Sequence, residues 1–310
     1  MLKKLVFMKI SPAKRRTQAI LQVWVKVVMV GLICSLLAKS SVAQSAKTPK
    51  KLVLIAGKKS HNPGEHEYLK SVRLLKVMLD QAPNVNGMST EVHADGWPAD
   101  PSTLDDADVI FMYADGSDFG MANDPLFVGD HWRILEKQMK RGCGLVLMHY
   151  STFAPQSHSQ AFLEWVGGYF DYESGKPGAS GKEAWYSAIT TETALCKPAV
   201  HPVARGLVPF QLREEFYYKI HFQEKDTRLK PVLTAKLSGV DEQTVAWAVE
   251  RKNGGRGFGF TGGHFYANWE EPNYRKMLLN AIVWAAGGQV PAGGVESKFY
   301  TDKQIQEYLR

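Results

Sequence analysis

The sequence predicts one α/β domain over residues 51–288, built on a mainly parallel sheet with helices on both faces. Three observations lead there. Short continuous apolar runs, KLVLIA at 51–56, VIFMY at 109–113 and LVLM at 145–148, read as strands buried on both faces. Segments with helical spacing alternate with them, and that order belongs to parallel βαβ units. No repeat and no internal linker divides the chain. With 310 residues, 45% hydrophobic and 22% charged, there is ample material for one core, and disordered or low-complexity classes are excluded.

The elements follow in order. Residues 1–43 carry Lys3, Lys4, Lys9, Lys14, Arg15, Arg16, Lys26 and Lys39 and no acid. Removing those eight charges from the formal +7 leaves the rest of the chain at −1. The basicity therefore sits in the leader, and nucleic acid is not an expected partner. An apolar run from Val27 to Leu37 and then Ser41-Val42-Ala43 read as a secretory signal peptide cleaved after Ala43. The run falls short of the ~20 residues that span a bilayer. No other stretch is long enough, so an exported chain with no stable membrane span is expected, periplasmic or extracellular. Residues 44–50 read as a linker. A first strand ends at Gly57, and Leu69, Val72, Leu75 and Leu79 give helical spacing over Glu67–Leu79. Thr90–His93 and Val109–Tyr113 are strands, and Asp130–Lys140 is a helix closed by Gly142. Leu145–Met148 is a strand and Gln160–Val166 a helix. Residues 171–228 look irregular apart from a strand near Tyr186–Thr190. Val232–Ala235, Thr244–Glu250 and Gly257–Thr261 are strands, Asn273–Ala286 is an amphipathic helix, and residues 289–310 form a tail with one short helix.

Open α/β sheets place ligands beyond the carboxyl ends of their strands, so the residues just after each strand carry the functional information. After the first strand comes a polar loop holding His61 and His66. After Met148 comes His149, followed by Tyr150. After Thr261 come Gly262-Gly263-His264 and then Asn268 and Trp269. Glu214-Glu215-Phe216-Tyr217-Tyr218 is a further polar-aromatic cluster, which as an edge strand would turn its carboxylates to solvent. His66, His149, Glu215 and His264 can form an acid–base site or hold a divalent metal such as zinc. Each would come from a different loop and none of the short helical His spacings is present. The reading therefore prefers a metal-free pocket with no cofactor. Tyr150, Tyr217, Asn268 and Trp269 are the candidate substrate contacts, although Trp269 would equally pack on the last helix.

Other chemistries are excluded or weakened. HExxH, CxxC, Walker and Gly-x-Ser-x-Gly patterns are absent. Gly257-x-Gly259-x-x-Gly262 matches a dinucleotide fingerprint in letters only, because it lies within a strand. Cys143 is about 20 Å of extended chain from His149, too far to be its nucleophile. Whether Cys143 and Cys196 pair is open at this stage.

In order along the chain, KLVLIAG, GEHEY, GLVLMHYSTF, HPVARGL, EEFYY, GRGFGFTGGHFYANW and NYRKMLLNAIVWA resemble the ThuA-like (trehalose-utilisation) family, over about residues 51–286. The resemblance implies a flavodoxin-like three-layer sandwich, similar to class I glutamine amidotransferases. Where those enzymes carry a cysteine between glycines at the strand-to-helix elbow, this chain has Met148-His149-Tyr150, which argues against glutamine hydrolysis. His264 matches the late histidine of that fold. The resemblance implies a small saccharide or keto-sugar as substrate, and two alternatives follow. One is an exported enzyme using His/Glu acid–base chemistry. The other is a non-catalytic carbohydrate-binding or accessory module.

Overall fold

A computed structural model of the chain describes residues 49–117, 124–172 and 186–310. The leader expected over 1–43 lies outside them, as does part of the segment read as irregular. Of the expected linker, Lys50 already belongs to the first strand. Eleven strands are seen among the described residues: β1 (Lys50–Ala56), β2 (Met88–His93), β3 (Val109–Tyr113), β4 (Gly144–Met148), β5 (Gly168–Tyr169), β6 (Ala188–Pro198), β7 (Phe210–Tyr218), β8 (His221–Phe222), β9 (Lys230–Lys236), β10 (Gln243–Glu250) and β11 (Arg256–Phe260). Five helices accompany them: α1 (Tyr68–Asp80), α2 (His131–Lys140), α3 (Ser159–Trp165), α4 (Pro272–Ala285) and α5 (Asp302–Tyr308).

Nine strands form one sheet in the order β2-β1-β3-β4-β11-β10-β9-β6-β7. Pairing is parallel from β2 through β11 and antiparallel from β11 to β7. The expected mainly parallel sheet is thus corrected to a mixed one. The reason lies in the connections. A parallel crossover needs a dozen or more residues, whereas the turns joining β9, β10 and β11 are too short for a helix and close hairpins instead.

The parallel half follows the period of 2 that burial on both faces requires. Leu52, Leu54, Phe111 and Val146 face α1 and α4, where Val72, Leu75, Leu279 and Ile282 cover them. Val53, Ile55, Ile110, Met112, Leu145 and Leu147 face Leu135, Met139 and Phe162 of α2 and α3. Each such side chain contributes about 1.5–3 kcal/mol by leaving water. The chain after α4 is packed down rather than free. Val295 is buried with its N–H donating to Asn280 Oδ1 at 2.7 Å, and Ile305 of α5 is buried near α1. Cys143 and Cys196 are both buried and unpaired, so the bridge left open by the sequence is not formed.

Two features of this frame position the functional side chains. β1, β3, β4 and β11 are parallel, so their carboxyl ends share one edge. The order also reverses between β1 and β3, the switch point at which open α/β sheets bind ligands. In addition, β6 is eleven residues long but pairs with β9 only over Leu195–Pro198. The rest of β6 and all of β7 form a ribbon that brings residues 214–217 to the loop following β11.

Candidate functional site

Four loops meet at the carboxyl edge. The loops after β1 and β11 are fastened by a small antiparallel bridge between Glu65 and Phe265. In it the His66 N–H donates to the His264 carbonyl at 2.9 Å and the Tyr266 N–H to the Gly64 carbonyl at 2.9 Å. The site histidines in the segments after β4 and β1 both sit in the left-handed region, His149 at φ +55° and His66 at φ +44°. Such a conformation is uncommon for a non-glycine residue and costs on the order of 1–3 kcal/mol, so the surroundings must hold it in place. At His149 the Thr152 hydroxyl donates to the main-chain carbonyl at 2.6 Å, and the ring Nδ1 lies 2.6 Å from the Thr261 carbonyl. Gly263, at φ +148°, passes so close that a Cβ there would lie 2.7 Å from the His149 Cβ. Only glycine admits this approach.

The side chains converge. His66 Nε2 is 2.9 Å from His264 Nδ1 and 3.1 Å from His149 Nε2. Glu215 Oε2 lies 3.3 Å from His264 Nδ1 and 3.5 Å from His149 Nε2. One ligand atom from each of these four residues falls within 4.8 Å of the others, close enough to hold a metal ion. Around them stands a shell of fixed partners. Tyr68 donates to Asp115 Oδ1 at 2.5 Å, and its hydroxyl oxygen lies 2.7 Å from His66 Nδ1. The outer nitrogen of His264, Nε2, faces Glu65 Oε1 at 3.7 Å. The Tyr217 hydroxyl lies 2.9 Å from His149 Nε2, its ring stacked on the imidazole. His61 stacks on His66 with centroids 3.6 Å apart.

Electrostatics follow from this packing. Burial, reinforced by the neighbouring imidazoles of His149, His61 and His264, pushes the His66 pKa far down and keeps it neutral. For Glu215 burial acts in the opposite direction, but hydrogen bonds to His149 and His264 hold its carboxyl well below the usual carboxylate range. Burial likewise opposes charge on His264, and Glu215 overcomes it, raising the pKa.

Beneath the cluster lies Glu214, fully buried. Its Oε2 accepts from the Gly263 N–H at 2.9 Å and Asn268 Nδ2 at 2.9 Å. Its Oε1 accepts from the His264 N–H at 3.0 Å and the Glu215 N–H at 2.8 Å. Burial raises the pKa of this group, and His149 together with the donors works against that rise. Since all four contacts are donors, the pocket is shaped for an acceptor at both oxygens.

The four residues singled out by sequence, His66, His149, Glu215 and His264, are thus brought to one point. The candidate sugar contacts fare differently. Tyr150 lines a cavity of about 590 Å³ together with Ser60, His61, Asp95, Asp115 and His131. Trp269 is corrected: it is 1% exposed, donates Nε1–H to Ser71 Oγ at 2.9 Å and packs edge-on against Tyr274 of α4, so it offers no face to a sugar. Tyr217 is buried against His149, and Asn268 spends its amide on Glu214 and the Arg213 carbonyl, so both are supports rather than contacts. Glu214 does not face solvent as an edge-strand carboxylate would. Sequence reasoning passed over Glu214, Tyr68, Asp115 and His61. Glu214 left a signal, since it falls in phase with Phe210, Leu212 and Phe216 on the apolar face of β7. Asp115 left one too, lying two residues past the end of β3.

Comparison with known proteins agrees with this architecture. Two solved structures of ThuA-like proteins share the fold. One, from Parabacteroides merdae ATCC 43184, has a TM-score of 0.53 at 17% identity, covering 83% of this chain and 99% of that one. The other, from Bacteroides uniformis ATCC 8492, has a TM-score of 0.55 at 14% identity, covering 81% and 98%. None of the curated proteins compared matches. The model of the ThuA family, described as trehalose utilisation, matches residues 52–285. That span runs from β1 to the end of α4 and includes every residue of the histidine–glutamate cluster. The chain belongs to the ThuA family.

Proposed function

We propose that the chain is an exported enzyme of saccharide or keto-sugar metabolism whose reacting centre is the cluster of His66, His149, Glu215 and His264. The observation that carries this reading is convergence. Groups from four separate segments meet within hydrogen-bond reach at the switch point of the sheet, beside a cavity lined by Ser60, His61, Asp95, Asp115, His131 and Tyr150. Imidazoles and a carboxylate a few ångströms apart are what proton transfer at a sugar hydroxyl, or next to a sugar ketone, demands. Among the lining residues Ser60, His61, Asp95, Asp115, His131 and Tyr150 offer hydrogen-bond partners to a ligand rich in hydroxyls. A binding module would instead present aromatic platforms, and the candidate platforms Tyr217 and Trp269 are both buried. The family's trehalose-utilisation description supports the substrate class.

A panel of disaccharides and their 3-keto derivatives, incubated with the purified chain and read by mass spectrometry, tests this proposal. Turnover of at least one keto-sugar is expected. Binding of sugars without any conversion would favour the accessory-module alternative. For export, the basic leader and Ser41-Val42-Ala43 support cleavage. N-terminal sequencing of secreted protein is expected to begin at Gln44, and a secreted product retaining Met1 would contradict it.

A further inference from the structure

The tautomers in the cluster can be assigned from their outer contacts. The Thr261 carbonyl can only accept, so in the neutral ring His149 Nδ1 carries the proton and Nε2 is bare. Tyr68 has one proton and gives it to Asp115 at 2.5 Å, so its oxygen accepts from His66 Nδ1–H and His66 Nε2 is bare as well. His264 turns Nε2 towards Glu65 and Nδ1 inwards. In these neutral tautomers His149 Nε2 and His66 Nε2 face each other at 3.1 Å with their lone pairs, beside a third imidazole nitrogen and a carboxylate. The Tyr217 hydroxyl is also within hydrogen-bond distance of His149 Nε2, at 2.9 Å, and would give up that contact when the nitrogen ligates an ion.

Lone pairs aimed at a common point from rings locked by outer hydrogen bonds form the arrangement that holds a metal ion. The spacings agree. Ligand atoms about 2.0–2.1 Å from a shared ion, at angles of about 90–110°, stand roughly 2.9–3.4 Å apart. The contacts between ligand atoms measure 2.9, 3.1, 3.3 and 3.5 Å.

We infer that His66 Nε2, His149 Nε2, His264 Nδ1 and Glu215 Oε2 form a binding site for one divalent transition-metal ion of the zinc class. The inference rests on the cluster being the functional centre but not on a sugar being its substrate. It replaces the metal-free pocket preferred from sequence. Three imidazoles select zinc, manganese, iron, cobalt or nickel over magnesium and calcium, which take oxygen ligands. A sugar oxygen or water joining the ion as a fifth ligand would be polarised, and the proton chemistry proposed above would pass to that bound group.

The test uses the full-length chain without an affinity tag, stripped with chelator and titrated with zinc chloride and separately with manganese chloride. Calorimetry reads affinity, and elemental analysis after gel filtration reads stoichiometry. One ion per chain is expected. His149→Ala and His264→Ala should weaken binding by more than about 100-fold, and Tyr68→Phe, which frees the His66 tautomer, by about 10-fold. His158→Ala, on the aromatic cluster with Trp132, should leave stoichiometry unchanged. Glu215→Gln keeps the shape of the site and covers the case in which a histidine variant misfolds; it should also weaken binding. A folded wild-type chain that binds neither ion, or binding that survives in both Glu215→Gln and His264→Ala, overturns the inference. Neither readout involves sugar. Loss of the metal site is therefore distinguishable from a wrong substrate class, which the keto-sugar panel alone decides.

Discussion

His149→Ala is expected to lower kcat/KM on the best keto-sugar substrate by at least about 10³-fold, towards the upper end of what one acid–base group contributes. His149 stands at the middle of the cluster, its Nε2 contacting His66, Tyr217 and Glu215. Removing the ring leaves the Thr261 carbonyl without its donor and Glu215 without one of the two imidazoles that hold it ionised. The fold should survive, because the strand preceding the residue is held on both sides by β3 and β11. Circular dichroism and thermal denaturation alongside steady-state kinetics check this. An active variant would remove His149 from the chemistry. His149→Gln, which keeps a donor towards Thr261, should recover stability without recovering rate.

Glu214→Ala carries the largest expected effect on stability. Four N–H donors end on this fully buried carboxylate, and alanine leaves the N–H groups of Gly263 and His264 without their acceptor and the Asn268 amide with only the Arg213 carbonyl. Breaking such a buried charged network costs about 3–5 kcal/mol. In a domain of this size that corresponds to a fall in Tm of roughly 10 °C. Glu214→Gln should fall less, because one oxygen still accepts while the new amide meets donors at the other position. Differential scanning calorimetry of the three proteins reads the order directly. A Glu214→Ala protein melting within about 2 °C of wild type would show that the buried carboxylate does not hold the loop after β11. Activity should fall with stability, since that loop presents His264.

How much of this was legible in sequence depended on which residues carried the signal. The parallel half was readable because β1, β3 and β4 are uninterrupted apolar runs, and a strand covered on both faces must be apolar throughout. The antiparallel ribbon is legible only at its start, where the strand expected near Tyr186–Thr190 overlaps β6. β6 reads AITTETALCKP and exposes alternate residues, so its pattern looks like that of a polar loop. β7 is hidden by its charges, and its paired carboxylates read as solvent-facing until the donors to Glu214 are visible. Those donors come from residues some fifty positions later, which no local pattern reveals. The three cluster histidines are legible because each lies in the loop that follows a buried parallel strand. Trp269 is ambiguous in sequence because an aromatic beside a functional histidine has two plausible partners, and its contacts with Ser71 and Tyr274 select the packing alternative. His61 and Asp115 were missed for want of a pairing partner close in sequence.

The central claim is that the clustered side chains act as one centre, and a double-mutant cycle on kcat/KM tests it most directly. Groups that work as a unit are grossly non-additive, so once one is lost a second loss costs little more. His149→Ala, His264→Ala and the double variant would be assayed on the keto-sugar turned over fastest by the wild type, with each protein verified as folded. The account predicts that the double variant is no more than about threefold slower than the worse single variant. Losses that multiply through the double variant would contradict it, because His149 and His264 would then be acting independently.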